Sequence, residues 1–186
     1  MTRIISGRAG GTVLDVPPKG TRPTSDRVRE SLFGALESAG LLDDARVADL
    51  YAGSGALGLE SLSRGAASAD LVELSAPAAT LIRKNADRLR TAGVSAPARV
   101  HRANVTTWLT ASVAEFDLVF LDPPYDVGDD ELTRALVALA PRLSPDATVI
   151  VERAKRSPAP DWAAAGLDAD RDRAYGDTTM WWGRPA

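Results

Sequence analysis

The sequence has no cysteine, a single histidine, and aromatic side chains at only 5% of its positions. The first absence excludes disulfides, thiolate metal sites and cysteine nucleophiles, and it fits a reducing compartment. His101 has no second imidazole and no suitably spaced carboxylate to share a metal, so it reads as structural and metal catalysis is not indicated. No run of about 18 apolar residues occurs, and the chain opens with Arg3 instead of an apolar signal core. A cytoplasmic protein without a membrane partner is expected. Heptads and internal repeats are missing too, which excludes coiled coils and solenoids and points to a monomer. What remains is 186 residues with 45% apolar content, enough for one globular core.

Net charge is −3, but it is unevenly spread. Residues 1–30 carry Arg3, Arg8, Lys19, Arg22, Arg27 and Arg29 against three acids, a net +3, while the remainder sums to −6. A basic arm on an acidic body is the asymmetry expected when one end touches phosphates.

Two β-prone runs, Arg3 to Ser6 and Thr12 to Val16, flank a glycine-rich turn and predict a small hairpin over residues 1–24. Thr24 or Ser25 then caps a helix from Asp26 to Ser38 that ends at Gly40. From residue 46 short apolar runs alternate with helical stretches, the pattern of βαβ units around a parallel sheet. Strands are expected at 46–50, 69–74, 98–102, 116–121 and 148–152, with a closing pair at 167–170 and 178–183. Helices are expected at 56–63, 77–91, 106–111 and 129–143. The fold class is therefore α/β, a Rossmann-like, mostly parallel seven-stranded sheet over residues 25–186, with its ligand crevice at the carboxyl ends of the strands. Trp181 and Trp182 alternate across the last strand, one toward the sheet and one at an edge.

The first of these strands runs into Asp49-Leu50-Tyr51-Ala52-Gly53-Ser54-Gly55-Ala56-Leu57-Gly58, a turn that lets backbone approach a ligand closely. Gly53, Gly55 and Gly58 also satisfy the dinucleotide spacing, and Glu73, 20 residues after Gly53, stands where a carboxylate grips ribose hydroxyls. NAD is thus an alternative ligand. Asp49 favours S-adenosyl-L-methionine, because an anion there repels a pyrophosphate and suits an ammonium and a sulfonium. It resembles the acidic residue opening the first motif of Rossmann-like methyltransferases. Asn104, after the third strand, resembles the Asp or Asn with which such methyltransferases often reach the adenine amine, and it equally suits a cap on the next helix.

The most specific signal is Asp122-Pro123-Pro124-Tyr125 at the end of the fourth strand. It resembles the motif of methyltransferases acting on an amino group conjugated to a planar system. Such an amine is a poor nucleophile until acceptors hold its hydrogens, and Asp122 and the Pro123 carbonyl offer two. Both prolines fix φ and lack an N–H, which leaves that carbonyl free. Tyr125 gives a flat face for a splayed base.

With both motifs placed, Arg3-Ile4-Ile5-Ser6-Gly7-Arg8, Gly10-Gly11, the run Arg22 to Phe33 and the closing Tyr175-Gly176-Asp177-Thr178 complete a resemblance, over nearly the whole chain, to the RsmD family of 16S ribosomal RNA guanine-N2 methyltransferases. The resemblance implies S-adenosylmethionine as donor and, as target, the guanine at position 966 of bacterial 16S RNA within an assembling 30S subunit. It implies donor contacts from Asp49, Tyr51, Gly53, Ser54, Gly55, Gly58, Glu73 and Asn104, and RNA backbone contacts from Arg3, Arg8, Lys19 and Arg22. Arg27 and Arg29 on the first helix would face the pocket, one holding the donor carboxylate or a phosphate. Glu152 at the fifth strand's end, with Arg153, Lys155 and Arg156, reads first as a solvated loop and otherwise as the border of an RNA path. Residue chemistry alone leaves open an adenine-N6 methyltransferase, an NAD-dependent oxidoreductase, for which no hydride-transfer base stands out, and a non-catalytic RNA-binding module.

Overall fold

A computed structural model describes residues 2–18 and 25–186. Lys19, Arg22 and the cap candidate Thr24 lie outside the described residues. Strands β1 (Thr2–Arg3) and β2 (Val13–Leu14) form an antiparallel pair, shorter than the runs read from sequence. Helix α1 (Asp26–Ser38) follows, with Ser25 Oγ accepting the Val28 N–H at its start. At its end Gly40, at φ 68°, supplies the left-handed residue of a Schellman closure, with Leu41 N–H bonded to the Leu36 carbonyl.

Then come β3 (Arg46–Leu50), α2 (Ala56–Ser63), β4 (Ser68–Glu73), α3 (Ala76–Thr91), β5 (Ala98–Arg102), α4 (Val105–Ala111), β6 (Phe116–Leu121), α5 (Asp129–Leu139), β7 (Leu143–Ala154), β8 (Leu167–Tyr175) and β9 (Thr178–Pro185). The sheet order is β5-β4-β3-β6-β7-β9-β8, with β9 antiparallel to both of its neighbours. Chain order reverses between β3 and β6, so the switch-point crevice opens above their carboxyl ends. The doubly wound α/β expectation stands.

Beyond the hairpin, three boundaries differ from the sequence reading by four residues or more. The helix expected to reach residue 143 stops at Leu139, because Pro141 closes a short 3₁₀ turn there. Strand β7 starts at Leu143 instead of Thr148, its Pro145-Asp146 segment lying within the register shift opposite Phe116 to Leu118 on β6. Strand β8 runs on to Tyr175 through almost wholly exposed residues, held by its pairing with β9 and not by an apolar face.

Alternation along the parallel strands feeds two cores. Val47, Leu118, Phe120 and Ile150 face α1, α2 and α3, packing with Leu32, Phe33, Leu59 and Ile82. Leu50, Val119, Leu121 and Val151 face α4 and α5, packing with Leu109, Leu132 and Leu136. Each fully buried side chain of this kind contributes roughly 1.5–3 kcal/mol. Ile4, Ala9 and Leu14 of the hairpin enter the first core, so the arm is seated on the sheet domain. Trp182 is buried on that side beneath the Arg171 guanidinium, 4.0 Å from its ring, while Trp181 is half-buried against the second core. His101 Nε2 meets Asp70 Oδ1 at 2.7 Å, and its ring packs on Trp108.

Candidate active site

Where β3 ends, Tyr51 takes a left-handed conformation at φ 65°, and this turns the chain out of the sheet into the glycine segment. A non-glycine residue there costs on the order of 1–3 kcal/mol. Ala52 N–H returns to the Val72 carbonyl and Gly55 N–H to that of Ala52 at 2.7 Å, closing the turn. Gly55 (φ 78°) caps α2 where a Cβ would stand 3.0 Å from Ile82 and Leu71. Gly53 (φ 58°) faces open space. Close packing at one glycine and clearance at the other leave backbone bare toward a ligand.

Two carboxylates brace this turn. Asp49, 2% exposed, accepts the Gly58 N–H at 2.9 Å. Its burial pushes its pKa up to about 7, with the Gly58 bond acting the other way and Glu73 adding to the rise. Glu73 accepts Gly53 N–H at 3.0 Å and Ser75 N–H at 2.7 Å. Tyr51, half-buried, has its phenol pushed up to about 12 by burial and by nearby Glu131. The two acids and the open backbone at Gly53, with no cation bonded to Asp49 among the described residues, suit a ligand bearing positive charge and vicinal hydroxyls. A pyrophosphate would meet Asp49.

Asn104 Oδ1 accepts the Thr107 N–H at 3.1 Å, so it caps α4, and its amide nitrogen makes no hydrogen bond among the described residues. The capping and ligand readings of Asn104 are compatible.

Asp122 follows β6, its N–H directed at the Leu50 carbonyl at 3.4 Å. Burial, then Glu152 and Asp49, hold its carboxyl well above the usual carboxylate range. In the turn beyond, the Pro124 carbonyl accepts Val127 N–H at 3.0 Å, while that of Pro123 accepts nothing among the described residues. Tyr125 is 78% exposed, a bare ring on the rim. These residues line a cavity of about 630 Å³ shared with Arg27 and Val28 of α1, Glu152 of β7, and Arg173 and Tyr175 of β8. The glycine turn is not part of its wall; Asp122 is, and the charge of Asp49, which braces that turn, acts on it.

The basic residues divide. Arg3, Arg8 and Arg27 are exposed. Arg29, expected to contact RNA or the donor, is instead 1% exposed: its Nη2 donates to the Arg3 carbonyl and to Asp26 Oδ1, both at 2.8 Å, and its Nη1 lies 3.9 Å from Glu60 Oε2. No phosphate reaches it there, and its role is to hold the arm against α1 and α2.

Sequence reasoning passed over the residues that seat the arm. Glu60, fully buried, accepts Ile5 N–H at 2.7 Å, Ser6 N–H at 3.0 Å and Arg64 Nε at 2.7 Å. Ser63 Oγ accepts Ala9 N–H and donates to the Ser6 carbonyl. The available signal was a lone acid within the otherwise apolar stretch Ala56-Leu57-Gly58-Leu59-Glu60, a position that demands a partner.

Comparison with known proteins agrees with this architecture. Residues 2–184 match the family model described as conserved hypothetical protein 95. Ribosomal RNA small subunit methyltransferase D of Escherichia coli K12 is 41% identical over 151 residues, covering 81% of this chain and 73% of that protein. The Haemophilus influenzae protein of the same name is 36% identical, over 84% of this chain and 80% of its own length. A solved Escherichia coli structure, the candidate methyltransferase yhhF, superposes with TM-score 0.81 at 34% identity, covering 100% of this chain and 98% of that one. With its glycine turn, its Asp-Pro-Pro-Tyr corner and its seated N-terminal hairpin all in place, the chain belongs to the conserved hypothetical protein 95 family, the RsmD family that its motifs resemble.

Proposed function

We propose that this protein methylates the exocyclic N2 amine of a guanine in 16S ribosomal RNA, with S-adenosylmethionine as donor and an assembling 30S subunit as substrate. The observation that carries the reading is that Asp122, on which the charge of the turn-bracing Asp49 acts, lines the same cavity as the exposed Tyr125 ring. The names of the relatives support ribosomal RNA as the acceptor.

Asp49 and Glu73 would hold the cationic and ribose parts of the donor, and Asn104 its adenine. The bound donor supplies a methyl on a sulfonium, so that the N2–C bond forms as the C–S bond breaks and a neutral thioether leaves. Asp122 accepts one N2 hydrogen and the free Pro123 carbonyl the other, which directs the nitrogen lone pair at the methyl; the proton released passes through Asp122 to solvent. Tyr125 stacks on the splayed base, worth roughly 1–3 kcal/mol. Positioning supplies most of the rate in such an in-line displacement. The arm of residues 1–24, with Arg3, Arg8, Lys19 and Arg22, and Arg27 beyond it, would hold RNA phosphates. A cytoplasmic location follows from that substrate.

The test is to incubate the protein with labelled S-adenosylmethionine and small subunits lacking the modification, then to identify methylated nucleosides by mass spectrometry beside Asp122→Ala. N2-methylguanosine from the parent protein, lost in the variant with donor binding retained, supports the reading. Label in N6-methyladenosine overturns the target, and donor binding without label in any RNA overturns the activity.

A further inference from the structure

The cavity beside Asp122 carries a second carboxylate that the transfer chemistry does not call for. Leu121 of β6 pairs with Val151 of β7, and Phe120 with Ile150, so one residue further along the two parallel strands Asp122 stands beside Glu152. The preceding residues fix the face: Leu121 and Val151 enter the core under α4 and α5, so the next pair falls on the α1 side, where both line the same cavity. Charge from Glu152 acts on Asp122, and Asp49 adds to it from the same side of the sheet. Two carboxyl groups side by side on one cavity wall offer adjacent acceptors, and a ligand that brings adjacent hydrogen-bond donors can meet both.

Base chemistry then selects. On its Watson–Crick edge guanine shows N1–H beside N2–H₂, two neighbouring donors. Adenine offers its amine next to the N1 lone pair, cytosine its amine next to the N3 lone pair, and uracil a lone N3–H between two carbonyls. A pair of carboxylates matches guanine and repels the lone pair of the others. Resting on the methyltransferase reading above, we propose that Glu152 is the residue that reads the target base: its carboxylate accepts guanine N1–H while Asp122 and the Pro123 carbonyl hold the N2 hydrogens. Sites that hydrogen-bond a substrate N–H reject analogues lacking it far more strongly than apolar pockets reject a missing methylene.

2-Aminopurine isolates this contact, since it keeps the reactive C2 amine but has a lone pair at N1. Small subunits reconstituted with 16S RNA carrying guanine or 2-aminopurine at the methylated site are offered to the parent protein, to Glu152→Gln and to Glu152→Ala, and kcat/KM is measured for each. The parent is expected to prefer guanine by about 100-fold or more. Glu152→Gln, whose amide can turn a donor toward the N1 lone pair and accepts N1–H more weakly than a carboxylate, is expected to cut that preference at least tenfold, through lower guanine and higher 2-aminopurine activity, with S-adenosylmethionine affinity and thermal midpoint unchanged. Glu152→Ala removes the acceptor and is expected to cut it as well. An unchanged preference in both folded variants overturns the role of Glu152 while leaving the methyltransferase reading intact. A parent protein that binds donor yet methylates no RNA overturns that reading instead. Donor affinity lost in both variants would make Glu152 part of the donor site and equally overturn the proposal.

Discussion

Asn85 and Asp15 are joined twice: Asp15 N–H donates to Asn85 Oδ1 and Asn85 Nδ2 donates to the Asp15 carbonyl, both at 2.9 Å. The same Nδ2 also donates to the carbonyl of Ser54, at 2.9 Å. One fully buried amide on α3 thus ties the arm to the glycine turn. Arg88, one turn further along, clamps the Asp15 carboxylate with both of its Nη atoms.

Replacing Asn85 by Ala leaves the polar groups of Asp15 and Ser54 without their partner. Each buried group so orphaned costs about 1–3 kcal/mol. Urea unfolding is expected to show a loss in that range or above it, accompanied by weaker S-adenosylmethionine binding. Full stability with full donor affinity would mean the amide ties nothing together.

Arg29 and Arg27, two residues apart on α1, should behave in opposite ways. Arg29→Ala removes the buried cation beside Glu60 and is expected to cost about 3–5 kcal/mol of stability. Arg27→Ala touches an exposed side chain on the cavity rim. It should leave the unfolding midpoint in place, lower RNA affinity and reduce the salt dependence of binding by about one phosphate contact. Binding isotherms at several salt concentrations, with melting curves alongside, separate the two.

The contrast between those arginines marks where sequence reading stops. Residues 26–38 were legible as a helix because the signals are local: a serine cap, an apolar face and a closing glycine. The two motifs were legible because each sits where a strand of the parallel sheet ends. Arg29 was not, since its burial depends on Glu60, 31 residues onward, and on the carbonyl of Arg3 in the arm. Strand β8 reads as shorter in the sequence because Asp168 to Arg173 has no period-two apolar pattern and is fixed by its partner strand. The left-handed Tyr51 gave no signal of its own, and the adjacency of Glu152 to Asp122 needed the register of β6 on β7.

Gly58 packs against the acid that braces the turn. A Cβ there would stand 3.0 Å from Leu71 Cδ2 and 3.1 Å from Asp49 Cβ. Overpacking of this kind costs about 1–3 kcal/mol. Gly58→Ala should therefore lower stability by that amount and weaken donor binding at least tenfold by displacing the Asp49 carboxylate, as read by denaturant unfolding and calorimetry. A variant that binds donor normally would place Asp49 outside the donor site.

Asp49 also sets a pH dependence whose sign follows from its raised pKa. The folded carboxyl titrates near 7 and the unfolded one near 3.8, so between these values the folded state holds the extra proton. Stability contributed by the protonated form is present at low pH and lost as pH rises through that window; Asp49→Asn should flatten that part of the curve. Donor binding runs the other way. A ligand with an ammonium and a sulfonium favours the charged carboxylate, so S-adenosylmethionine affinity should rise with pH by up to about tenfold per unit below 7 and level off above it. Binding measured near pH 6 in buffers of different ionisation enthalpy should then reveal release of up to one proton, and the Asn variant should release none. Affinity that is flat from pH 5 to 8 in the parent protein would show that the donor's positive charges do not engage Asp49.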